Sequence, residues 1–166
     1  MPDARWGPNV TVAAVIERGG LYLLVEEASP RGPVLNNPAG HLDPGESLIE
    51  AVVREVLEET ARVFTPTHLV GVYLARSPHS DVTYLRFAFT GTVSEPEPGR
   101  ALDDGILRTL WLTREEMEAE AKRHRSPLLV RCIADHHAGR RYPLDLLRAD
   151  PSVYAAHTIV PGHTAP

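Results

Sequence analysis

The 166-residue chain predicts an α/β fold of layered strands and helices. Two observations predict it. Short β-branched runs such as Val10–Ile16 and Leu21–Val25 alternate along the chain with segments of helical period. A long amphipathic stretch beginning near Ser47 follows a loop rich in proline and glycine, as a helix entering from a turn does.

The elements follow in order. Val10–Ile16 and Leu21–Val25 read as buried strands, and Gly19-Gly20 between them suits a tight hairpin turn. Residues Pro30–Pro38 read as a loop. Ser47 with Glu50 three residues later forms a capping-box pattern, so a helix starts there. At about 100° per residue, Leu48, Ile49, Val52, Val53 and Val56 share one arc and face a core. Leu69–Leu74 and Val82–Val93 read as strands joined by a turn at Ser77-Pro78-His79-Ser80. In the second, Leu85, Phe87 and Phe89 alternate with Tyr84, Arg86 and Ala88, so one face packs on the core and the other borders a cleft. Glu95–Asp104 is a loop, Leu107–Leu112 a short strand, and Thr113 with Glu116 caps another helix. A last helix runs from Ser126 to His137 and stops before Gly139. Residues 1–150 are expected to form one domain, with 151–166 a mobile tail.

Composition narrows the function classes. With 43% hydrophobic and 23% charged residues, the chain has the balance of a globular protein. A net charge of −5 and no basic stripe exclude a general nucleic-acid-polymer binder. Cys132 is the single cysteine, which excludes an internal disulfide framework and fits a reducing compartment. No apolar run is long enough to span a membrane, and Met1-Pro2-Asp3 does not open a signal peptide, so a cytoplasmic location is expected. No G-x-S-x-G, P-loop or GxGxxG pattern is present.

The chemistry concentrates in GHLDPGESLIEAVVREVLEETA, Gly40–Ala61. Glu55, Glu58 and Glu59 crowd one arc of the helix, where like charges repel by a few tenths of a kcal/mol per pair. Such crowding points to a cation among them. An all-oxygen donor set suits Mg²⁺ or Mn²⁺ rather than zinc. Arg54 beside these glutamates, and Glu46 at the helix entry, are read as supports that orient the ligands.

These residues resemble the Nudix box, G-x5-E-x7-R-E-U-x-E-E-x-G-U with U aliphatic. Gly40, Glu46, Arg54, Glu55, Val56, Glu58 and Glu59 all match. Ala61 stands where the pattern has its late glycine, and Arg62 at the last aliphatic position. An alanine at a left-handed helix end costs about 1 kcal/mol. Neither departure removes a candidate ligand. NVTVAAVI, LLVEE, NNPAGHLDPGESLIEA, YLRFAF, RSPLL and GRRYPLDLL further resemble the NudJ-like bacterial phosphatases, over most of Asn9–Leu147.

The resemblance implies the Nudix fold, a mixed sheet sandwiched between helices. It implies a hydrolase that uses a divalent metal, Mg²⁺ with Mn²⁺ as the alternative. The substrates it implies are nucleoside tri- and diphosphates or a thiamine-precursor pyrimidine diphosphate. Glu55 and Glu59 are the implied metal ligands, with Glu58 a further ligand or the base and the Ala39 carbonyl a further donor. Asp103 and Asp104 are candidate bases outside the box, though an Asp-Asp-Gly turn explains them as well. Candidate substrate contacts are His41, Arg86 and Tyr142, the last weighed against a packed C-terminal turn. His136 and His137 point about 100° apart on a helix and are read as core or surface residues. Cys132 is read as a small core residue. The expected partner is a small phosphorylated molecule, not a nucleic-acid polymer or a membrane, and the chain is expected to be a monomer or homodimer. Two alternatives stay open. One is an ADP-ribose or dinucleotide pyrophosphatase, against which 6% aromatic content weighs. The other is a nucleotide-binding sensor that does not cleave, against which the intact REVLEE run weighs.

Overall fold

The structure is a computed structural model that describes residues 6–77 and 80–155. Its strands are β1 (Asn9–Val15), β2 (Glu17–Arg18), β3 (Leu21–Glu27), β4 (Val34–Asn36), β5 (Ala39–His41), β6 (Phe64–Arg76), β7 (Thr83–Val93) and β8 (Ile106–Leu112). Its helices are α1 (Leu48–Thr60), α2 (Arg114–Ala119) and α3 (Leu128–His137). One mixed sheet has the order β5-β1-β7-β6, with β1 and β7 parallel and the other pairs antiparallel. In the second sheet β3 pairs antiparallel with β2, β4 and β8.

The pleat divides the core in two. Val12 and Ala14 of β1, with Ile16 just beyond it, pack with Leu23 and Phe89 against Ala51, Val52 and Val56 of α1. Val15 packs with Leu24 and Ala88 against Leu129, Cys132 and Ile133 of α3. Successive strand residues face opposite sides, so the strands lie between α1 on one side and α2 with α3 on the other. The α/β sandwich is as expected.

Gly19 and Gly20 turn the first hairpin with φ of 61° and 85°, which a glycine pair adopts freely. Ser47 and Glu50 make the full capping box of α1, and Thr113 and Glu116 that of α2. The helix α1 ends on Ala61 at φ 56°, and the Ala61 N–H donates to the Leu57 carbonyl at 3.0 Å. The substituted position thus keeps the left-handed geometry of the glycine it replaces, and Ala61 is the one non-glycine with positive φ among the described residues. Arg62 takes up its aliphatic role differently. It is 8% exposed, donates to the Ser94 carbonyl and lies 5.6 Å from the Trp111 ring, which Arg18 also approaches.

Several boundaries differ from the sequence reading. The stretch Pro30–Pro38 is not all loop, because Val34–Asn36 pairs with β3 and Leu35 is fully buried. Three residues between prolines carry too short a pattern to announce a strand; the partner strand decides it. β6 begins five residues earlier than expected, at Phe64, and runs through Pro66. It can do so because it is an edge strand, where a missing N–H is tolerated. Helix α3 starts at Leu128 rather than Ser126. In the turn expected at Ser77–Ser80, Pro78 and His79 lie outside the described residues. The segment expected to be a tail opens with a 3₁₀ turn at Pro151–Tyr154, and the Tyr154 hydroxyl donates to Glu50 at 3.1 Å. Residues 156–166 lie outside the described residues. No helix among the described residues is long and apolar enough to cross a membrane.

Candidate active site

The site begins with Arg54, one turn into α1's acidic run. Its Nε and Nη2 grip both oxygens of Glu46 at 2.9 and 2.7 Å. Nη2 also donates to the His41 carbonyl at 2.9 Å, and Nη1 to Glu55 at 2.7 Å and Glu58 at 3.2 Å. One guanidinium therefore ties the loop before α1 to two of the helix carboxylates. Glu46 accepts in addition from the Asp43 N–H. Arg54 holds Glu46 below the usual carboxylate range, and Glu46 in turn raises the Arg54 pKa. Arg54 and Glu46 thus meet each other directly, as two residues expected to support the neighbouring carboxylates would.

Gly40 explains the first position of the box. Its φ is not positive, so its conformation does not require glycine. A Cβ there would overlap the carboxyl group of Glu55, which lies directly against the Gly40 backbone. Burial raises the Glu55 pKa, with the Arg54 contact opposing.

Glu59 is 7% exposed and accepts from the Ala39 N–H at 2.8 Å. Burial pushes its pKa up to about 9, against the Ala39 hydrogen bond and helped by the nearby charges of Glu27, Glu55 and Asp103. A carboxyl this buried among other carboxylates, with no cationic side chain among the described residues bonded to it, has room in its electrostatics for a cation. The nearby carboxylates of Glu27, Glu55 and Asp103 supply oxygen donors, which fits a hard divalent ion. Among the described residues, no three carboxylate, histidine or cysteine side chains converge on one point where they would hold a metal together. Glu55 and Glu58 are instead turned to Arg54. One or two carboxylates with water and phosphate oxygens complete a Mg²⁺ shell, so convergence of three is not required.

A cleft of about 740 Å³ opens beside Glu59, lined by Ala39, Gly40 and His41 on one strand and by Tyr84 and Arg86 on another. The His41 and Tyr84 rings stand 6.2 Å apart, tilted by 56°. Arg86 is 8% exposed, and its burial lowers its pKa. Asp103 and Asp104 also line this cleft. They form the expected turn as well, with Gly105 at φ 88° and the Asp103 N–H bonded to the Glu58 carbonyl at 2.9 Å. The turn therefore brings Asp103 beside the acidic cluster, where its charge acts on Glu59.

Tyr142 stands apart from this grouping. It pairs through its backbone with Leu69 on the edge of β6, its side chain 42% exposed, and it is not among the residues lining the cleft. Arg140 pairs with Asp135, and Arg141 donates to the His136 carbonyl. Cys132 is buried, its thiol pushed up to about 11 by burial. His136 is buried against Tyr22 and lowered to about 4 by burial, while His137 is exposed. Glu27, Thr11 and Asn36 also line the cleft and were not singled out from the sequence. Glu27 had a signal: a buried strand that ends on two adjacent acids, Glu26-Glu27, which apolar β-branched residues would otherwise extend.

A model of the NUDIX domain matches residues 6–132. The chain belongs to the Nudix family. It is similar to the phosphatase NudJ of Escherichia coli K12, at 36% identity over 140 residues, 84% of this chain and 90% of that protein. It is similar in structure to a NUDIX hydrolase from Nitrosomonas europaea, with a TM-score of 0.83 and 53% identity, covering 87% of this chain and 98% of that one. A bifunctional NMN adenylyltransferase/ADP ribose pyrophosphatase from Francisella tularensis, complexed with AMP and a Mn ion, shares the fold. Its TM-score is 0.58 at 18% identity, covering 82% of this chain and 44% of that one. This Nudix protein is a hydrolase, and Nudix hydrolases generally need a divalent metal.

Proposed function

We propose that this Nudix hydrolase cleaves a phosphoanhydride bond in nucleoside tri- or diphosphates, or in a pyrimidine diphosphate, with Mg²⁺ as the metal. The observation that carries the reading is Glu59: a buried carboxyl, bonded to the Ala39 amide and crowded by Glu27, Glu55 and Asp103, at the wall of a cleft that also holds a buried arginine. The 36% identity to a phosphatase over most of both chains supports this substrate class.

Glu59 and Glu55 would hold the metal, with Glu58 and the Ala39 carbonyl as further oxygens. When bound, the divalent ion neutralises phosphate oxygens and polarises the phosphorus toward attack. Everything else is the chain's own work. Arg54 fixes Glu46, the His41 carbonyl and Glu55 in one frame, so the carboxylates meet the phosphates without reorganising. The attacking water would transfer its proton to a carboxylate; the candidates are Asp103, which lines the cleft, and Glu58, which is bonded to Arg54. The water oxygen bonds phosphorus as the bridging oxygen departs with the bond's electron pair. His41 and Tyr84 border the cleft where a base would stack, and Arg86 contacts a phosphate. Tyr142 plays no part in this proposal. The single, buried cysteine suits the reducing cytoplasm.

The test is product analysis by ³¹P NMR in ¹⁸O-labelled water over a panel of nucleoside tri- and diphosphates, thiamine-pathway diphosphates and ADP-ribose, with Mg²⁺ and with EDTA. Metal-dependent turnover of the mono-terminated diphosphates is expected. Turnover of ADP-ribose alone would replace this reading with the pyrophosphatase one. Tight nucleotide binding with no turnover of any compound would leave a sensor.

A further inference from the structure

The wall of the cleft holds polar atoms that no group of the described protein satisfies. Nε and Nη1 of Arg86, Oγ1 of Thr11 and Oδ1 of Asn36 are all buried without a hydrogen-bond partner. The three residues are 8%, 5% and 3% exposed, and all three line the same cavity. Thr11 and Arg86 are direct partners in the parallel register of β1 and β7. Asn36 is bound to the same neighbourhood through Glu27, whose carboxylate accepts from Asn36 Nδ2 at 3.0 Å and acts electrostatically on Arg86.

Buried polar atoms are nearly always paired, and a buried guanidinium cannot escape its charge by losing a proton. Glu27 does not neutralise Arg86 by direct contact, since its oxygens are occupied by Asn36 and Arg125. The buried Cys132 thiol lies beside Arg86, and a thiol is a poor acceptor for a cation. Three residues with orphaned polar atoms line one cavity, and this points to a single missing ligand.

We propose that Arg86, Thr11 and Asn36 form a phosphate subsite that holds a terminal phosphomonoester, and does so without metal. Arg86 offers two donors to phosphate oxygens, and the Thr11 hydroxyl offers a third. The Asn36 carbonyl oxygen needs a donor, and the P–OH of orthophosphate, or of a terminal phosphate in its monoprotonated form, supplies it. Sulfate has no such proton at neutral pH, so the subsite prefers phosphate to sulfate. Substrates whose phosphates are capped at both ends, as in ADP-ribose, leave it unfilled. The identity of the anion as phosphate rests on the hydrolase reading; the existence of an anion site at Arg86 does not.

The test is calorimetric titration of orthophosphate, and separately of sulfate, into the full chain in EDTA, with thermal melting of each variant. Orthophosphate is expected to bind the wild type saturably, and sulfate at least about tenfold more weakly. Arg86→Met is expected to weaken phosphate at least about tenfold while leaving the ligand-free melting temperature unchanged or higher, because it removes an unpaired buried charge. Should Arg86→Met not fold, Arg86 is a structural residue and the subsite falls. Arg86→Lys, which keeps the charge and loses the planar fork, is expected to bind phosphate more weakly; binding equal to wild type overturns the assignment. Absence of saturable phosphate binding, or equal affinity for sulfate, overturns it too. No metal and no turnover enter this experiment. A protein that binds phosphate but hydrolyses nothing refutes the hydrolase reading and keeps the subsite, and an active enzyme that binds no phosphate in EDTA does the reverse.

Discussion

Replacing Gly40 by alanine should separate stability from activity. The added methyl would overlap the Glu55 carboxyl group, whose atoms are its three nearest neighbours. The Gly40 backbone is not in the left-handed region, so alanine fits its conformation. Relief must come from the side chain of Glu55, whose carboxylate retreats by about 1 Å to reach an ordinary carbon–oxygen contact. That displacement breaks the 2.7 Å bond from Arg54 Nη1 to Glu55, while the two bonds from Arg54 to Glu46 remain. Losing one charge-assisted hydrogen bond costs about 1.5–3 kcal/mol if its groups stay dry. Arg54 is 26% exposed and keeps its other partners, so the lower end applies. Removing a glycine from the unfolded chain returns about 0.4–1 kcal/mol. The net stability loss is about 1 kcal/mol, or about 2–4 °C in Tm for a domain of this size. Activity responds differently. A misplacement of about 1 Å at a reacting centre costs about 10²-fold in rate, near 2.7 kcal/mol of transition-state stabilisation. The assay is kcat/KM on the best nucleoside diphosphate with Mg²⁺, run beside a thermal melt. A Gly40→Ala enzyme within threefold of wild type would refute the placement of Glu55 in the reaction. A variant that fails to fold would show that the Gly40–Glu55 contact is structural.

Further expectations come from the same geometry. Arg54→Lys cannot grip Glu46 bidentately while reaching Glu55 and the His41 carbonyl, so kcat/KM should fall by about 10–100-fold; an unchanged rate would remove the orienting role. Ala61→Gly should change stability by less than about 1 kcal/mol, since relief at φ 56° is offset by a lost buried methyl and a more flexible unfolded chain. Ala61→Val, β-branched in the left-handed region, should instead cost about 2 kcal/mol by chemical denaturation. The last concerns pH. With Glu59 at about 9 in the folded metal-free protein, against about 4.5 when unfolded, the folded state carries the extra proton between those values. Its stability contribution is complete below the unfolded value and is lost as pH rises toward about 9. Metal binding must expel that proton, so affinity should rise with pH by about tenfold per unit across the window. Calorimetry in buffers of different ionisation enthalpy should count about one proton released per metal bound. A metal affinity independent of pH would show Glu59 to be ionised already.

The parts of this account that were legible in the sequence are the ones set by local chemistry. Ser47 with Glu50, and Thr113 with Glu116, announced their capping boxes because both partners lie within one turn. The box spacing announced Arg54 and the glutamates Glu55, Glu58 and Glu59 because α1 places them, and Glu46 because it stands at the helix entry. What stayed hidden is what only tertiary contact decides. β4 exists because Val34–Asn36 meets β3, and no periodicity can show in three residues. Gly40 matched a pattern, but its reason, the Glu55 carboxyl against its backbone, needed the fold. Arg86 was visible as the polar residue of an alternating strand. Its companions Thr11 and Asn36 were not, since they come from strands far apart in sequence. Tyr142 was open between a substrate contact and a packed C-terminal turn, and only the fold shows its backbone pairing with Leu69 on the edge of β6.

The central claim is that metal-dependent hydrolysis runs through Glu59. The most direct measurement is the initial rate of phosphate release from a nucleoside diphosphate as Mg²⁺ is titrated, for wild type and Glu59→Gln side by side. The account predicts a saturable metal-dependent rate for wild type, abolished by EDTA. It predicts a loss of at least about 10²-fold in Glu59→Gln despite a melting temperature as high as wild type or higher. Equal rates in the two proteins, or turnover that persists in EDTA, would contradict it.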